Sequence, residues 1–262
     1  MGSASRAALA SGIAAFERRS GVTLEAAQQL FAAVRAIEGS AQLRGLLADP
    51  TLAATERAAL VARVFGSIDA AASGILTDLA SERWSTPSEF VDGLEEIAIR
   101  AAASASPKTG IVAELFAVED IVSGNAELEL ALGSKLATQA DKAALVERIL
   151  SGKVSDATIA IVSHLVQCPR GRRVGALLAR AADIVADAAD AVVATVTVAA
   201  PLDAKSEKAL VADLTARVGR PPRIHYLIDP SIIGGVRIRV GDVVIDGTIS
   251  TRLNELRLKL AG

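Results

Sequence analysis

Two ten-residue stretches, about 85 residues apart, carry nearly the same pattern of charge and apolarity. Residues 56–65 read ERAALVARVF and residues 141–150 read DKAALVERIL. They align without a gap, and only Ala62 against Glu147 breaks the match in charge sign or apolarity. The offset is longer than a solenoid repeat, so it predicts two copies of a small helical bundle. Shared alanine- and leucine-rich composition is the alternative explanation of the likeness.

The pattern is helical almost throughout residues 5–189, and several helix ends can be located from local signals. Residues 86–89 (TPSE) are typical of a capping box with proline in the first turn. Residues 138–141 have a similar layout, with aspartate in place of glutamate. Further predicted starts are Asp49-Pro50 and Ser155-Asp156, and predicted stops are Gly39, Gly66 and Gly124.

After residue 190 the hydrophobic period changes from helical to alternating, which indicates strands. Residues 192–198 and 223–228 are predicted strands that flank a predicted helix over 203–218. Residues 236–240 alternate as well, with Arg237 and Arg239 on the side opposite Val236, Ile238 and Val240. Gly241-Asp242 predicts a short hairpin turn into a fourth strand, and residues 250–260 predict a closing helix capped by Ser250.

These elements predict an α+β fold that is mostly α: two tandem helical bundles, then a small α+β domain of order β-α-β-β-β-α. The segment 102–110 is small, polar and contains proline and glycine, so it is the predicted link between the bundles. The predicted domains are therefore 1–104, 105–190 and 191–262.

The composition excludes several functional classes. The chain of 262 residues has a net charge of −2, which argues against a nucleic-acid-binding surface. Its one cysteine, Cys168, excludes an internal disulfide and suits a reducing compartment. No uninterrupted apolar run reaches 18 residues, so we expect a soluble, cytoplasmic protein that does not insert directly into a membrane.

The sequence offers no arrangement typical of catalysis, and we expect no catalytic residue, no cofactor and no metal. The P-loop pattern is absent. His164 is expected to be a partly buried, satisfied helix residue, and His225 to face solvent on a strand. Neither has metal-ligand spacing. The Gly234-Gly235 pair is predicted to allow a sharp turn or a close backbone contact rather than to bind phosphate.

Cys168 and the arginines that follow it each have more than one interpretation. Cys168 precedes Pro169 and an arginine-rich turn, so it is either a small residue at a helix end or, less in keeping with its surroundings, an activated thiolate. The arginines at 170, 172 and 173 suit a salt-bridged face, a contact for an acidic partner or a nucleic-acid patch. The adjacent pair Glu95-Glu96 is predicted to lie on a solvated helix face.

The C-terminal block, residues 229–260, resembles the signature of the delta subunit of F-type ATP synthases. This family includes the mitochondrial oligomycin-sensitivity-conferring protein. Residues from about 105 onwards are similar to a whole conventional delta subunit, and the first bundle resembles the added helical domain of long bacterial forms. The residues that carry this resemblance are Asp229, Pro230, Gly234, Gly235, Gly241, Asp242, Asp246, Gly247, Arg252 and Leu253.

The resemblance implies a non-catalytic stator subunit on the cytoplasmic face of the bacterial plasma membrane. Its expected partners are the N-termini of alpha subunits, held by the helical bundle, and the b subunits, held by the α+β domain. A generic helical adaptor for protein or RNA is the alternative function. The candidate partner-binding residues are Ala58, Leu60, Val61, Ala143, Leu145, Val146, Arg237 and Arg239.

Overall fold

The computed structural model describes residues 1–107, 109–134 and 136–249. Within them the chain is α+β and mostly α, as predicted. The helices are α1 Ser3–Glu17, α2 Leu24–Gly39, α3 Ala41–Leu47, α4 Ala54–Phe65, α5 Ala70–Ser81, α6 Pro87–Ser104, α7 Ile111–Ser123, α8 Ala126–Gly133, α9 Gln139–Leu150, α10 Asp156–Gln167, α11 Val174–Ala188 and α12 Ala204–Val218. The strands are β1 Val192–Val198, β2 Pro222–Ile228, β3 Val236–Val240 and β4 Val243–Asp246.

The chain divides into two compact units, one formed by Met1–Ile184 and one that begins at Val185. The first is helical and covers the first predicted bundle and residues 105–184 of the second. Helix α6 packs against α1, α2, α3 and α5, and also against α10. It therefore contacts helices from both predicted bundles. The boundaries at residues 104 and 190 remain predictions.

Most of the predicted helix starts are confirmed by their caps. The side chains of Thr86, Thr138 and Ser155 each accept a hydrogen bond from a backbone N–H in the first helical turn. The start predicted at Asp49-Pro50 is wrong. Asp49 instead accepts bonds from the backbone and hydroxyl of Thr51, which closes a turn, and α4 begins only at Ala54.

The helix bounds repeat along the chain. Helices α4 and α9 have 12 residues each, and they begin at Ala54 and Gln139, an offset of 85 (139 − 54). Helices α5 and α10 also have 12 residues each, with an offset of 86 (156 − 70). We call α2–α5 the first copy and α7–α10 the second copy. The second copy therefore has one additional residue before its last helix.

Side-chain contacts repeat together with the bounds. In the first copy, the amide oxygen of Gln29 accepts a hydrogen bond from the backbone N–H of Asp69, just before α5. In the second copy, the carboxylate of Glu114 accepts one from the N–H of Ser155, just before α10. Two separate polar contacts at matching positions support duplication over similarity of composition alone.

The second unit contains a four-stranded sheet of order β2-β1-β3-β4. Strand β1 is parallel to β2 and antiparallel to β3, and β3 pairs antiparallel with β4. Its core joins Ala194, Val196 and Val198 of β1 with Ile238 of β3 and Leu214 of α12. The strands and α12 confirm the predicted order as far as β4. The predicted helix over 250–260 lies outside the described residues.

Candidate functional site

The signature residues at the start of the C-terminal block form a turn between β2 and β3. The carboxylate of Asp229 accepts hydrogen bonds from the backbone N–H of Ser231 at 2.9 Å and from its hydroxyl at 2.6 Å. These bonds lower the pKa of Asp229, because they favour the ionised form. The backbone N–H of Asp229 also donates to the carbonyl of Val198. This turn therefore fixes the chain to the end of β1, with Pro230 at its exposed corner.

Gly234 and Gly235 occupy positions that only glycine adopts easily. Their φ angles are +121° and +82°, in the region where a Cβ atom is strained. A Cβ on Gly235 would also lie 2.4 Å from the carbonyl oxygen of Gly247. The backbones there are joined by hydrogen bonds from Gly247 to Val236 and from Ile249 to Gly234. The glycine pair therefore permits a close backbone contact, as the sequence predicted.

The hairpin between β3 and β4 turns at Gly241-Asp242, as predicted, and Gly241 has a φ of +56°. Asp246 secures the end of this hairpin. Its carboxylate accepts a bond from Arg237 Nε at 3.0 Å and another from the backbone N–H of Thr248 at 3.0 Å. These signature residues therefore shape the backbone. Arg252 and Leu253 lie outside the described residues.

Arg237 and Arg239 are exposed on β3, while Ile238 between them is buried in the core. The alternation predicted for this strand is confirmed. Next to it, Val243 and Val244 of β4 are 63% and 58% exposed. This strand pair therefore presents both cationic and apolar groups to solvent.

The candidate residues of α4 and α9 are placed symmetrically. Val61 and Val146 are buried in the core, with 0% and 2% of their surface exposed. Ala58, Leu60, Ala143 and Leu145 are half-buried. A partner can reach these four positions, whereas the two valines act on a partner only through the packing of their helices.

A buried polar network in the helical unit was missed from the sequence. Glu95 of α6 and His164 of α10 are each 1% exposed. Glu95 Oε1 lies 3.3 Å from His164 Nε2, and Glu95 Oε2 accepts a bond from Arg172 Nη2 at 2.8 Å. Burial alone would raise the pKa of Glu95, but the bonds from His164 and Arg172 bring it to about 2. The carboxylate is therefore a buried anion with two donors.

The imidazole of His164 is held on three sides. Arg35 Nη1 lies 3.3 Å from Nδ1, and because arginine only donates, Nδ1 acts as the acceptor and Nε2 carries the proton. The ring of Phe31 stacks on the imidazole at 4.5 Å between centroids. Burial lowers the pKa of His164, although Glu95 opposes this shift. A neutral histidine thus connects α2, α6 and α10, and the expectation that His164 is satisfied is confirmed.

Two predictions about exposure were wrong. Glu95 was expected on a solvated face, but it follows Val91 and Leu94 at helical spacing and therefore lies on the apolar stripe of α6. That spacing was the available signal. His225 was expected to face solvent, yet it is 6% exposed. It pairs in register with Thr195 of β1, and its alternation with Ile224 and Tyr226 therefore does not place it on a solvated face.

The arginine-rich turn after α10 forms ion pairs, which confirms the salt-bridged interpretation for Arg170 and Arg172. Arg170 Nη1 lies 2.8 Å from Asp92 of α6, and its Nε lies 3.6 Å from Glu38 of α2.

Cys168, at the end of α10, is buried, and burial raises the pKa of its thiol to about 11. A buried thiol of this kind is typically inert, which favours the small helix-end residue over the activated thiolate.

Among the described residues, no three histidine, cysteine or acidic side chains are close enough together to hold a metal ion. No helix in the same part of the chain combines the length and apolarity that a membrane span needs.

A family model described as ATP synthase delta (OSCP) subunit matches residues 96–260. The chain belongs to this family. This match confirms the resemblance seen in the C-terminal block. The matched region begins at residue 96, inside α6, rather than at about residue 105 as the sequence suggested.

The similarity of this delta family member to its relatives also includes the N-terminal helices, which the family model does not match. The ATP synthase subunit delta of Leifsonia xyli is 46% identical over 100% of both chains. That of Streptomyces avermitilis is 36% identical over 91% of this chain and 89% of the relative. One chain of the cryo-EM structure of the Toxoplasma gondii mitochondrial ATP synthase hexamer is 24% identical, with a TM-score of 0.41, over 64% of this chain and 96% of that chain.

Proposed function

We propose that this protein is the stator link of an F-type ATP synthase, which joins alpha-subunit N-termini to the b subunits on the cytoplasmic face of the bacterial plasma membrane. As a member of the delta family, it is a non-catalytic, peripheral subunit of the membrane-bound complex. The full-length match to a subunit delta carries the proposal. What we propose beyond this match is the identity of the two partners and the location on the cytoplasmic face.

The helical unit supports the alpha-subunit contact. Its short amphipathic helices leave half-buried small and aliphatic side chains, among them Ala58 and Leu60, beside a continuous core. Such surfaces accept the apolar face of a partner helix. The network around Glu95 and His164 joins helices from both copies, which suits a part that has to transmit torque without bending.

The sheet unit supports the b-subunit contact. Exposed Arg237 and Arg239 lie beside the exposed apolar residues Val243 and Val244. Aliphatic groups flanked by cations suit an amphipathic helix that carries carboxylates along its edge. Two contacts on separate units, acting together, would also give slower dissociation than either alone.

Isothermal titration calorimetry of the full chain tests the proposal. The titrants are the N-terminal peptide of the alpha subunit and the C-terminal segment of the b subunit from the same organism. We expect both to bind, and to bind simultaneously. If neither peptide binds, while a single-stranded RNA binds with strong salt dependence, the stator link is wrong and the RNA-adaptor alternative replaces it.

A further inference from the structure

Helix α6 lies between the two copies and flanks both of them. The first copy is preceded by α1 and followed by α6, and the second copy is preceded by α6 and followed by α11. These three helices begin at Ser3, Pro87 and Val174, in steps of 84 (87 − 3) and 87 (174 − 87) residues, close to the offset of the repeat. One helix therefore stands at the end of the first repeat and at the beginning of the next.

The contacts of α6 fit both positions. As the helix before the second copy, α6 packs against α10, just as α1 packs against α5 of the first copy. As the helix after the first copy, it packs against α2, α3 and α5. Glu89 of α6 accepts a hydrogen bond from Ser5 of α1 at 2.7 Å. Glu96, further along α6, lies 3.6 Å from Arg180 of α11. The same helix thus contacts the helix that begins the first repeat and the helix that ends the second.

The burial of α6 is that of a helix packed on every side. The six consecutive residues Ile97–Ala102 are all buried. Because 3.6 residues complete a helical turn, these side chains cover the whole circumference of α6. Helix α1 differs, because its buried residues are Ser5, Ala8 and Gly12, which form a single stripe. A helix that flanks one bundle buries one stripe, whereas α6 buries its full circumference.

Two positions of α6 show that its two sides contact different copies. Gly93 leaves no room for a Cβ atom, which would meet the ring of Trp84. That ring is held to the first copy, since Trp84 Nε1 donates to the carbonyl of Leu79 in α5. Glu95 contacts His164 in α10 of the second copy. Residues two apart, such as Gly93 and Glu95, point to nearly opposite sides of a helix, so α6 lies between the copies.

We infer that α6 belongs to both bundles, as the last helix of the first and the first helix of the second. Residues 1–184 then form one rigid body that unfolds cooperatively, rather than two bundles that bend about a connector. Separating the bundles would expose the apolar surface of α6 to water. The family match that begins at residue 96, inside α6, supports a second bundle that includes part of this helix. The shared helix goes beyond the stator link and does not depend on it.

The chain carries its own pair of probes for the test, because it has one tryptophan and one cysteine. Trp84 is buried against the first copy, and Cys168 is buried at the end of α10 in the second copy. Urea unfolding of the full chain is followed by the fluorescence of Trp84 and by pulse labelling of Cys168 with a fast thiol reagent. We expect both probes to change at the same urea concentration, as in a single cooperative transition.

A matched pair of variants tests whether the two copies share their stability. Val61 of α4 and Val146 of α9 are equivalent and both are buried in the core, so Val61→Ala and Val146→Ala remove the same atoms from each copy. Each variant should lower the midpoints of both probes together, by roughly 0.5–1 M urea. Separate transitions in the wild type, or variants that each move only the probe of their own copy, would overturn the inference.

An insertion distinguishes coupling through α6 from coupling through the chain connection. A short Gly-Ser insertion between Ala105 and Ser106 lengthens the connection from α6 to α7 and leaves the packing of α6 in place. We expect the two probes still to change together. Transitions that separate in this variant would show that the connection couples the copies, and would overturn the inference as well. Peptide binding by the wild type is measured independently of these transitions, so the stator link stands or falls on its own.

Discussion

Glu95 Oε1 lies 3.3 Å from His164 Nε2, and this contact joins α6 to α10 between side chains that are 1% and 0% exposed. Arg172 completes the charge balance of Glu95 from the turn after α10. An unpaired buried carboxylate would cost several kcal/mol, so α6 and α10 separate only if the whole network opens. Because Arg35 of α2 also contacts His164, the network connects the two copies through a polar contact as well as through the stacking of Phe31 on the imidazole.

Replacing Glu95 with glutamine should destabilise the helical unit. The amide can still accept from His164, but it cannot balance the charge of Arg172. We expect a loss of about 2 kcal/mol in the free energy of unfolding, measured by urea titration with circular dichroism. Glu147→Gln, on the exposed side of α9, is the matched control and should unfold at the wild-type urea concentration. Coincident curves for both variants would show that the buried charge pair adds nothing.

The stability of the protein should fall as the pH drops below about 6.5, the ordinary pKa of histidine. Burial lowers the folded pKa of His164, so below that pH the unfolded chain binds a proton that the folded chain does not. Proton uptake then favours unfolding. Urea unfolding measured between pH 5.5 and 7.5 should show this slope.

His164→Gln isolates the contribution of the imidazole to that slope. The variant is less stable throughout, but its free energy of unfolding should change less between pH 7.5 and 5.5 than that of the wild type. Glu95, whose pKa is about 2, stays ionised across this window, so it does not obscure the result. An unchanged slope would mean that other groups set the pH dependence.

The sheet unit was predictable in detail, and the network was not. Alternation and the Gly241-Asp242 turn are local signals, and they located β3 and β4 correctly. Whether Glu95 is buried depends on α10 and on Arg172, which is 77 residues away along the chain. Periodicity reports which face of α6 is apolar, but it does not report which polar group finds partners there. His225 was misjudged for the same reason, because alternation along β2 does not report whether a side chain is covered.

Cys168 should react slowly with thiol reagents. With its pKa raised to about 11 by burial, well under 1% of the side chain is thiolate at pH 7.5. We expect slow labelling by iodoacetamide in the folded protein and rapid labelling in urea, followed by mass spectrometry. Cys168→Ala should bind the alpha and b peptides as the wild type does. Fast labelling of the folded protein would reopen the question of a reactive thiol.

Gly235→Ala should destabilise the sheet unit through two separate effects. Its φ of +82° is strained for any side chain, and its Cβ would lie 2.4 Å from the carbonyl oxygen of Gly247. Gly219 offers a matched control, because it has a similar φ of +78° with nothing within 4 Å of an added Cβ. We expect a cost of about 1 kcal/mol for Gly219→Ala from strain alone, and of about 3 kcal/mol for Gly235→Ala. Thermal unfolding measures both, and the difference reports the close contact between the glycine pair and the segment after β4. Equal costs would show that this segment moves aside freely, and that the glycine is needed only for its backbone angle.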